Sequence, residues 1–177
     1  MPYITHPAMR TLILSKMKVI SNIRLMGLDI GRKSIGVALS DESITNAFPY
    51  KTFILDPQIS AQNYSFGRHK EFYQTIKALL SLKKIKGIVV AFPLDLNNKE
   101  TPHCKFVRKM TKHMMTEEEI AIPFTLVKEN ESTKSDSRAI IELLSGKEPE
   151  LVGVEKIASK TLKKYIGYLH SNELIMK

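Results

Sequence analysis

The alternation of apolar runs with short polar turns in the first third of the chain predicts three strands. Residues 24–29 and 35–40 are both rich in apolar side chains, and a turn containing Gly31 separates them. Because this link is so short, the two strands must run antiparallel. Residues 48–55 form the third predicted strand.

Helical and strand patterns alternate over the rest of the chain. Apolar side chains recur at i, i+1, i+4, i+7 and i+8 from Phe72, which is one face of a helix. Residues 87–92 form a continuous apolar run, typical of a strand covered on both faces, and Pro93 is expected to end it. The further predicted elements are a helix beginning near Pro102, a strand at 124–127, a helix from Ser132 or Thr133 to Gly146, and a C-terminal helix at 154–169.

This order of elements predicts an α/β fold. Three antiparallel strands come first and parallel βα units follow, which gives a five-stranded mixed sheet flanked by helices. The length of 177 residues suits one compact domain. In sheets of this kind, functional residues collect beyond the carboxyl ends of the parallel strands.

Composition narrows the possible functions. Lys and Arg number 27 against 18 Asp and Glu, a formal net charge of +9, which favours a polyanionic partner, chiefly nucleic acid. The single cysteine, Cys104, excludes an internal disulfide and a cysteine-built zinc site. No apolar run approaches the roughly 18 residues that a membrane-spanning helix needs.

Residues 1–24 contain no Asp or Glu and carry four Lys or Arg side chains among several hydroxyl side chains. This composition is typical of an organellar transit peptide, and its short apolar run is unlike a secretory signal. We therefore expect an N-terminal extension at residues 1–22, one domain at 23–172, and location in a mitochondrion or plastid. Cytoplasmic location is the alternative.

Three acidic residues from distant parts of the chain are expected to converge. Asp29 closes the first strand, Glu129 lies at the carboxyl end of the last strand, and Glu155 lies in the first turn of the C-terminal helix. Clustered carboxylates repel one another, and a divalent cation removes that conflict. Ligands that are all oxygen suit Mg²⁺ or Mn²⁺, and two such ions can clamp a phosphodiester. Taken singly, each acid is more often a turn residue or a helix-dipole partner.

Residues 27–41 read GLDIGRKSIGVALSD, and this block resembles the opening motif of the YqgF (RuvX) family. Three further blocks follow in the family's order, at residues 90–94, 128–133 and 154–159. The chain departs from the family pattern at the third acid, where Glu155 replaces Asp, and at residues 128–130, where Lys-Glu-Asn replaces Asp-Glu-Arg.

The resemblance implies an RNase H-like fold and metal-dependent nuclease chemistry. The residues carried over from the family motifs as catalytic groups and metal ligands are Asp29, Glu129 and Glu155. The implied reaction is hydrolysis of phosphodiester bonds in maturation of the small-subunit (16S-type) ribosomal RNA precursor, with Mg²⁺ or Mn²⁺ as the cofactor. A Holliday junction resolvase-like DNA endonuclease, expected to act as a dimer, is the first alternative. A nucleic-acid- or ribosome-binding module with a decayed site is the second.

Basic side chains near the three acids are the candidate phosphate contacts. We expect Lys33, Lys128 and Lys156 to bind nucleic acid, with structured RNA as the first partner and branched DNA as the second. No membrane partner is expected, and the chain is predicted to be a monomer or a homodimer. His103 is a candidate general acid, with an ordinary surface histidine as the alternative.

Overall fold

The computed structural model describes residues 3–55, 66, 69–130 and 154–171. The elements within these residues are, in chain order, helix α1 (His6–Val19), strands β1 (Arg24–Ile30), β2 (Ser34–Ser40) and β3 (Ala47–Ile54), helix α2 (Lys70–Leu82), strand β4 (Ile85–Leu94), helix α3 (Pro102–Thr116), strand β5 (Phe124–Asn130) and helix α4 (Val154–His170). The predicted helix that ends at Gly146 lies outside the described residues.

The strands form one five-stranded mixed sheet in the order β3-β2-β1-β4-β5. Strand β2 runs antiparallel to β1 and β3, whereas β4 is parallel to β1 and β5 is parallel to β4. The predicted α/β fold class is therefore confirmed. The carboxyl ends of the parallel strands β1, β4 and β5 meet at one edge of this sheet, where function is expected to collect.

Strand β4 is longer than the sequence pattern indicates. It continues through Pro93 to Leu94, and Pro93 lies opposite Glu129 of β5, so the expectation that Pro93 ends the strand is wrong. A proline lacks only the N–H group and keeps its acceptor. The Pro93 carbonyl accepts hydrogen bonds from Thr101 Oγ1 (3.1 Å) and Cys104 Sγ (2.8 Å). These bonds join the carboxyl end of β4 to the start of α3.

Helices cover both faces of the sheet. The face covered by α2 and α3 includes Leu28 and Val90 in its apolar core. The face covered by α4 includes Val89 and Val127. Val89 and Val90 are neighbours in β4 and enter opposite layers, as the two-residue period of a strand requires. None of the helices in the described ranges is long and apolar enough to span a membrane.

Helix α1 belongs to the core on the α4 side of the sheet. Met9 and Ile13 are both 0% exposed and pack in the same apolar cluster as α4. The Arg10 guanidinium donates hydrogen bonds to the carbonyls of Leu169 and Ser171, each at 2.9 Å. This helix lies within the segment that composition sets apart as an N-terminal extension, and Arg10 fastens it to the C-terminal end of α4.

Strand β5 lies at an edge of the sheet, where outward-facing backbone groups have no neighbouring strand. Three of its carbonyl groups instead accept hydrogen bonds from other parts of the chain. The pairs are Phe124 O with the Ile4 N–H (2.9 Å), Leu126 O with His6 Nε2, and Lys128 O with Lys164 Nζ (3.0 Å). This edge is therefore covered by the start of the chain and by α4.

The turn between β2 and β3 is held by the Asp41 carboxylate. It accepts hydrogen bonds from the N–H groups of Thr45 (2.7 Å) and Asn46 (3.1 Å) and from the Thr45 hydroxyl (2.6 Å). Desolvation by burial opposes the charge, but these hydrogen bonds outweigh it and hold the pKa of Asp41 below its usual value. Asp41 ends the family-like block, yet it lies at the opposite end of β2 from Gly36.

Gly167 offers a simple gain in stability. It is exposed within α4, and a Cβ added there would meet no atom within 4 Å apart from its chain neighbours and the backbone of its own helix. Because glycine is less favourable than alanine inside a helix, we expect Gly167→Ala to raise the free energy of unfolding by about 0.5–1 kcal/mol. Urea denaturation measures the change, and a fall in stability would contradict an open environment at this position.

Candidate active site

Asp29 lies one residue before the end of β1 and is almost completely buried, at 1% exposed. Its side chain faces α4, because Gly27, two positions earlier, lies so close to that helix that a Cβ would be 2.8 Å from the Ala158 carbonyl oxygen. The register pairs Asp29 with Gly36 of β2. The carboxylate is therefore held by regular strand backbone with a glycine beside it.

Gly36 brings the first turn of α4 next to Asp29. A Cβ at Gly36 would lie 2.2 Å from the Val154 carbonyl oxygen and 2.6 Å from the Glu155 nitrogen. Opposite Cα atoms in an antiparallel pair are about 4.5–5.5 Å apart, so the helix start rests beside Asp29. The Glu155 carboxylate accepts a hydrogen bond from Thr52 Oγ1. Thr52 lies in β3 and pairs with Gly36 on the side of β2 opposite to β1.

Glu129 reaches the same face of the sheet from β5. Val127, two residues earlier, packs in the core cluster under α4, so Glu129 points to that side as well. It is 7% exposed, and its carboxylate accepts a hydrogen bond from Thr161 Oγ1 of α4. Strand β4 separates β5 from β1, so Glu129 lies two strand spacings, about 10 Å, across the sheet from Asp29.

The three predicted acids therefore share one face of the sheet and one covering helix. In the part of the chain that the structure describes, no three acidic, histidine or cysteine side chains lie close enough to hold a metal ion together. Glu129 and Glu155 are each turned to a threonine hydroxyl. The donors themselves, which are all carboxylates, suit a hard divalent ion such as Mg²⁺. The three carboxylates therefore fit such an ion chemically. That all three bind one ion together stays a prediction.

Two residues that sequence reasoning missed, Thr52 and Thr161, donate hydrogen bonds to the candidate ligands. Thr161 is 0% exposed within the apolar face of α4. A buried hydroxyl needs a hydrogen-bond partner, so its place among apolar residues was an available signal. Thr52 gives no such signal, because it lies in an edge strand whose side chains are mostly exposed.

We expect Thr161→Val to lower the free energy of unfolding by about 1.5 kcal/mol, because the buried Glu129 carboxylate loses one hydrogen-bond donor. Valine keeps the branched shape of the side chain. Thr161→Ser keeps the hydroxyl and is the matched control, with a smaller expected loss. Chemical denaturation compares the two variants, and an equal loss would assign the effect to packing alone.

The three lysines predicted to bind nucleic acid are exposed, and each lies close in sequence to one acid. Lys33 occupies the turn that follows the strand of Asp29. Lys128 precedes Glu129 in β5, and Lys156 follows Glu155 in α4. Because side chains alternate along a strand, Lys128 faces the side of the sheet opposite to Glu129. Lys33 and Lys156 lie next to their acids in a turn and a helix. The phosphate contacts of all three lysines stay predictions.

His103 lies beside the end of the strand that carries Asp29. Its Nε2 atom is 2.7 Å from the carbonyl oxygen of Ile30, the last residue of β1. The imidazole ring stacks on Phe106 with 5.7 Å between ring centroids. The histidine therefore fixes the end of β1 to α3, and its proposed general-acid role stays a prediction.

The strand order, the flanking helices and the shared face of the three acids define an RNase H-like α/β protein. A solved structure described as "T. thermophilus RuvC in complex with Holliday junction substrate" superposes with a TM-score of 0.51. The alignment covers 83% of this chain and 96% of that chain, at 11% sequence identity. At this identity the likeness shows the fold alone.

The family model described as "RuvX: Holliday junction resolvase" matches residues 23–162, and the chain belongs to this family. The matched range includes Asp29, Glu129 and Glu155. A relative from Mycoplasma mobile, named "Putative pre-16S rRNA nuclease", is 31% identical over 140 residues, covering 79% of this chain and 88% of the relative. A relative of the same name from Paramagnetospirillum magneticum is 30% identical over 139 residues, covering 77% and 79%. The predicted family membership is confirmed.

Proposed function

We propose that this chain is a divalent-metal-dependent nuclease that hydrolyses phosphodiester bonds in nucleic acid. The observation that carries the proposal is the position of Asp29, Glu129 and Glu155 on one face of the sheet beneath one helix. The family match spans all three residues, and the two relatives are named as nucleases. The net charge of +9 suits a substrate rich in phosphate.

Asp29, Glu129 and Glu155 are the residues that would hold Mg²⁺ or Mn²⁺. A bound ion of this kind supplies Lewis acidity and an activated water for phosphodiester hydrolysis. The contribution of the chain is to place the carboxylates. Regular strand backbone holds Asp29, the close approach of α4 to Gly36 places Glu155, and the Thr161 hydroxyl orients Glu129.

Lys33, Lys128 and Lys156 would hold the phosphates on either side of the scissile bond. Ammonium groups bind phosphate without reading base sequence, so these contacts position the substrate. All three side chains are exposed. Lys33 and Lys156 lie next to acids of the α4 side. Lys128, one residue before Glu129 in a strand, faces the other side of the sheet edge. In this proposal the lysines bind the substrate, and the three acids carry out the hydrolysis.

We further propose that the substrate is the precursor of the small-subunit (16S-type) ribosomal RNA. The names of the two relatives support this choice. The alternative substrate is a Holliday junction, which the family description and the description of the RuvC structure support. Structured RNA and a four-way DNA junction are distinguishable in a single assay.

The deciding experiment offers the purified chain a 16S precursor RNA, single-stranded DNA and a four-way DNA junction, each with Mg²⁺, Mn²⁺ or a chelator. Cleavage of the RNA that the chelator abolishes is the expected result. Cleavage of the junction alone would favour the resolvase. Tight binding without cleavage of any substrate would leave a nucleic-acid-binding module, in which the threonine hydroxyls hold the glutamates in an inactive arrangement.

Location in a mitochondrion or plastid is a proposal that rests on the acid-free composition of residues 1–24. Processing after α1 would remove Met9 and Ile13 from the core. Cell fractionation, followed by determination of the N-terminal residue of the recovered protein, tests location and processing together. Recovery from the cytosol alone would contradict the proposal.

A further inference from the structure

An open groove of about 630 Å³ lies between the edge of β5, the start of α1 and the second half of α4. Its lining contains Lys128 and Lys164 but no Asp or Glu. Three ring-bearing residues also line it, namely His6, Tyr165 and Tyr168. One lysine ammonium, that of Lys164, and three rings therefore lie at a cavity large enough for a flat ligand.

The groove and the Glu129 contact lie along the same side of α4. Thr161, Lys164, Tyr165 and Tyr168 follow one another at i, i+3, i+4 and i+7, which is a single stripe of the helix. Thr161 binds Glu129 at the start of this stripe. At a rise of about 1.5 Å per residue, Tyr168 lies about 10 Å along the helix from that contact. A polymer at the acids can therefore reach the groove.

The rings form one connected group. The Tyr168 ring centroid lies 5.8 Å from that of His6 and 5.9 Å from that of Tyr165. Tyr165 is buried and supports Tyr168, which is half-buried. Gly167 lies beside it and is exposed, and apart from its chain neighbours and its own helix backbone no atom lies within 4 Å of where a Cβ would be. Gly167 is therefore an exposed position in the groove lining at which a longer side chain can be introduced.

We infer that this groove binds a single-stranded segment of nucleic acid, with a base against the Tyr168 ring and a phosphate near Lys164. Aromatic rings stack on any base, and a basic groove attracts the phosphate backbone. An acidic peptide would use the charge of the groove but has no comparable use for the ring. The inference rests on the proposed function in one respect, which is that the partner is nucleic acid.

The test measures binding separately from cleavage. It uses the full chain carrying Asp29→Asn in the presence of a chelator, so that the probe stays intact. The probes are a fluorescently labelled single-stranded oligouridine of about ten nucleotides, an abasic ribose-phosphate chain of equal length, and polyglutamate. Fluorescence anisotropy gives the dissociation constant for each.

Gly167→Glu and Gly167→Lys form a matched pair that changes only the sign of the charge added to the open wall. We expect Gly167→Glu to weaken oligouridine binding by roughly five- to tenfold and Gly167→Lys to leave it equal or tighter. Circular dichroism checks that both variants are folded. Identical binding by the two variants would overturn the inference.

Tyr168→Leu separates stacking from charge. We expect it to weaken oligouridine binding by roughly fivefold or more and to leave binding of the abasic chain unchanged. An equal loss for both probes would overturn the proposed base contact. Polyglutamate binding that is as tight as oligouridine binding, and as sensitive to Gly167→Glu, would assign the groove to an acidic protein instead.

The two proposals fail in different ways. A chain that binds oligouridine through the groove but cleaves no substrate would refute the nuclease and retain the groove. A chain that cleaves nucleic acid while its binding ignores both Gly167 variants would retain the nuclease and refute the groove.

Discussion

Replacement of Asp29 by asparagine is expected to lower metal-dependent cleavage by roughly 100- to 1,000-fold while the protein stays folded. The amide keeps the shape of the side chain and removes the negative charge that would bind a cation. Asp29 is 1% exposed and lies on a regular strand, so its side chain is held in one place. Single-turnover cleavage in Mg²⁺ and in Mn²⁺, together with circular dichroism, measures both parts of the prediction.

Asp41→Asn is the matched control for this experiment. It makes the same chemical change within the same sequence block, but its carboxylate is bound in the turn before β3. Cleavage by this variant should stay close to that of the unaltered chain. Undiminished cleavage by the Asp29→Asn protein would remove Asp29 from the site and would contradict the proposed metal centre.

Gly36→Ala is expected to damage both stability and cleavage. The added Cβ would lie 2.2 Å from the Val154 carbonyl oxygen, which is a backbone atom and cannot rotate away. Relief requires α4 to shift from the sheet, at a cost of about 3 kcal/mol in the free energy of unfolding. The shift also moves Glu155, and a displacement of about 1 Å can slow a reaction about 100-fold. Urea denaturation and the cleavage assay measure the two effects.

Gly167→Ala is the control for the Gly36 variant, since it makes the same substitution at an open position of the helix that Gly36 supports. It should be at least as stable as the unaltered chain, so it is the control for the measurement of stability. If Gly36→Ala were as stable as the unaltered chain, the close contact between β2 and α4 would not require a glycine at position 36.

The strands and the position of Asp29 were predictable because local signals define them. An apolar run at 24–29 followed by a glycine turn indicates a strand that ends at an acid, and the structure has Arg24–Ile30. The shared face of Asp29 and Glu129 then follows from the two-residue period of strands, once β1, β4 and β5 are placed in one sheet. Among the strands, only the predicted ends differ from the observed ones, as at Pro93.

The remaining features depend on contacts between residues that are distant in sequence. The hydrogen bond between Thr52 and Glu155 spans 103 positions, and no local pattern encodes it. Met9 and Ile13 are spaced as neighbours on one face of a helix, but two apolar positions in a basic segment are a weak signal. The acid-free composition of that segment pointed to targeting, whereas its burial depends on α4.

The hydrogen bonds along β5 also bear on how molecules of this protein meet one another. An uncovered edge strand is a template on which a strand from a second molecule can extend the sheet. Here the Ile4 N–H, the His6 ring and the Lys164 ammonium occupy the outward carbonyls of that strand. A strand-to-strand dimer through β5 would have to displace all three. Loss of residues 1–5 would free the Phe124 carbonyl. The hydrogen bond from Ile4 therefore opposes aggregation by extension of the sheet at β5.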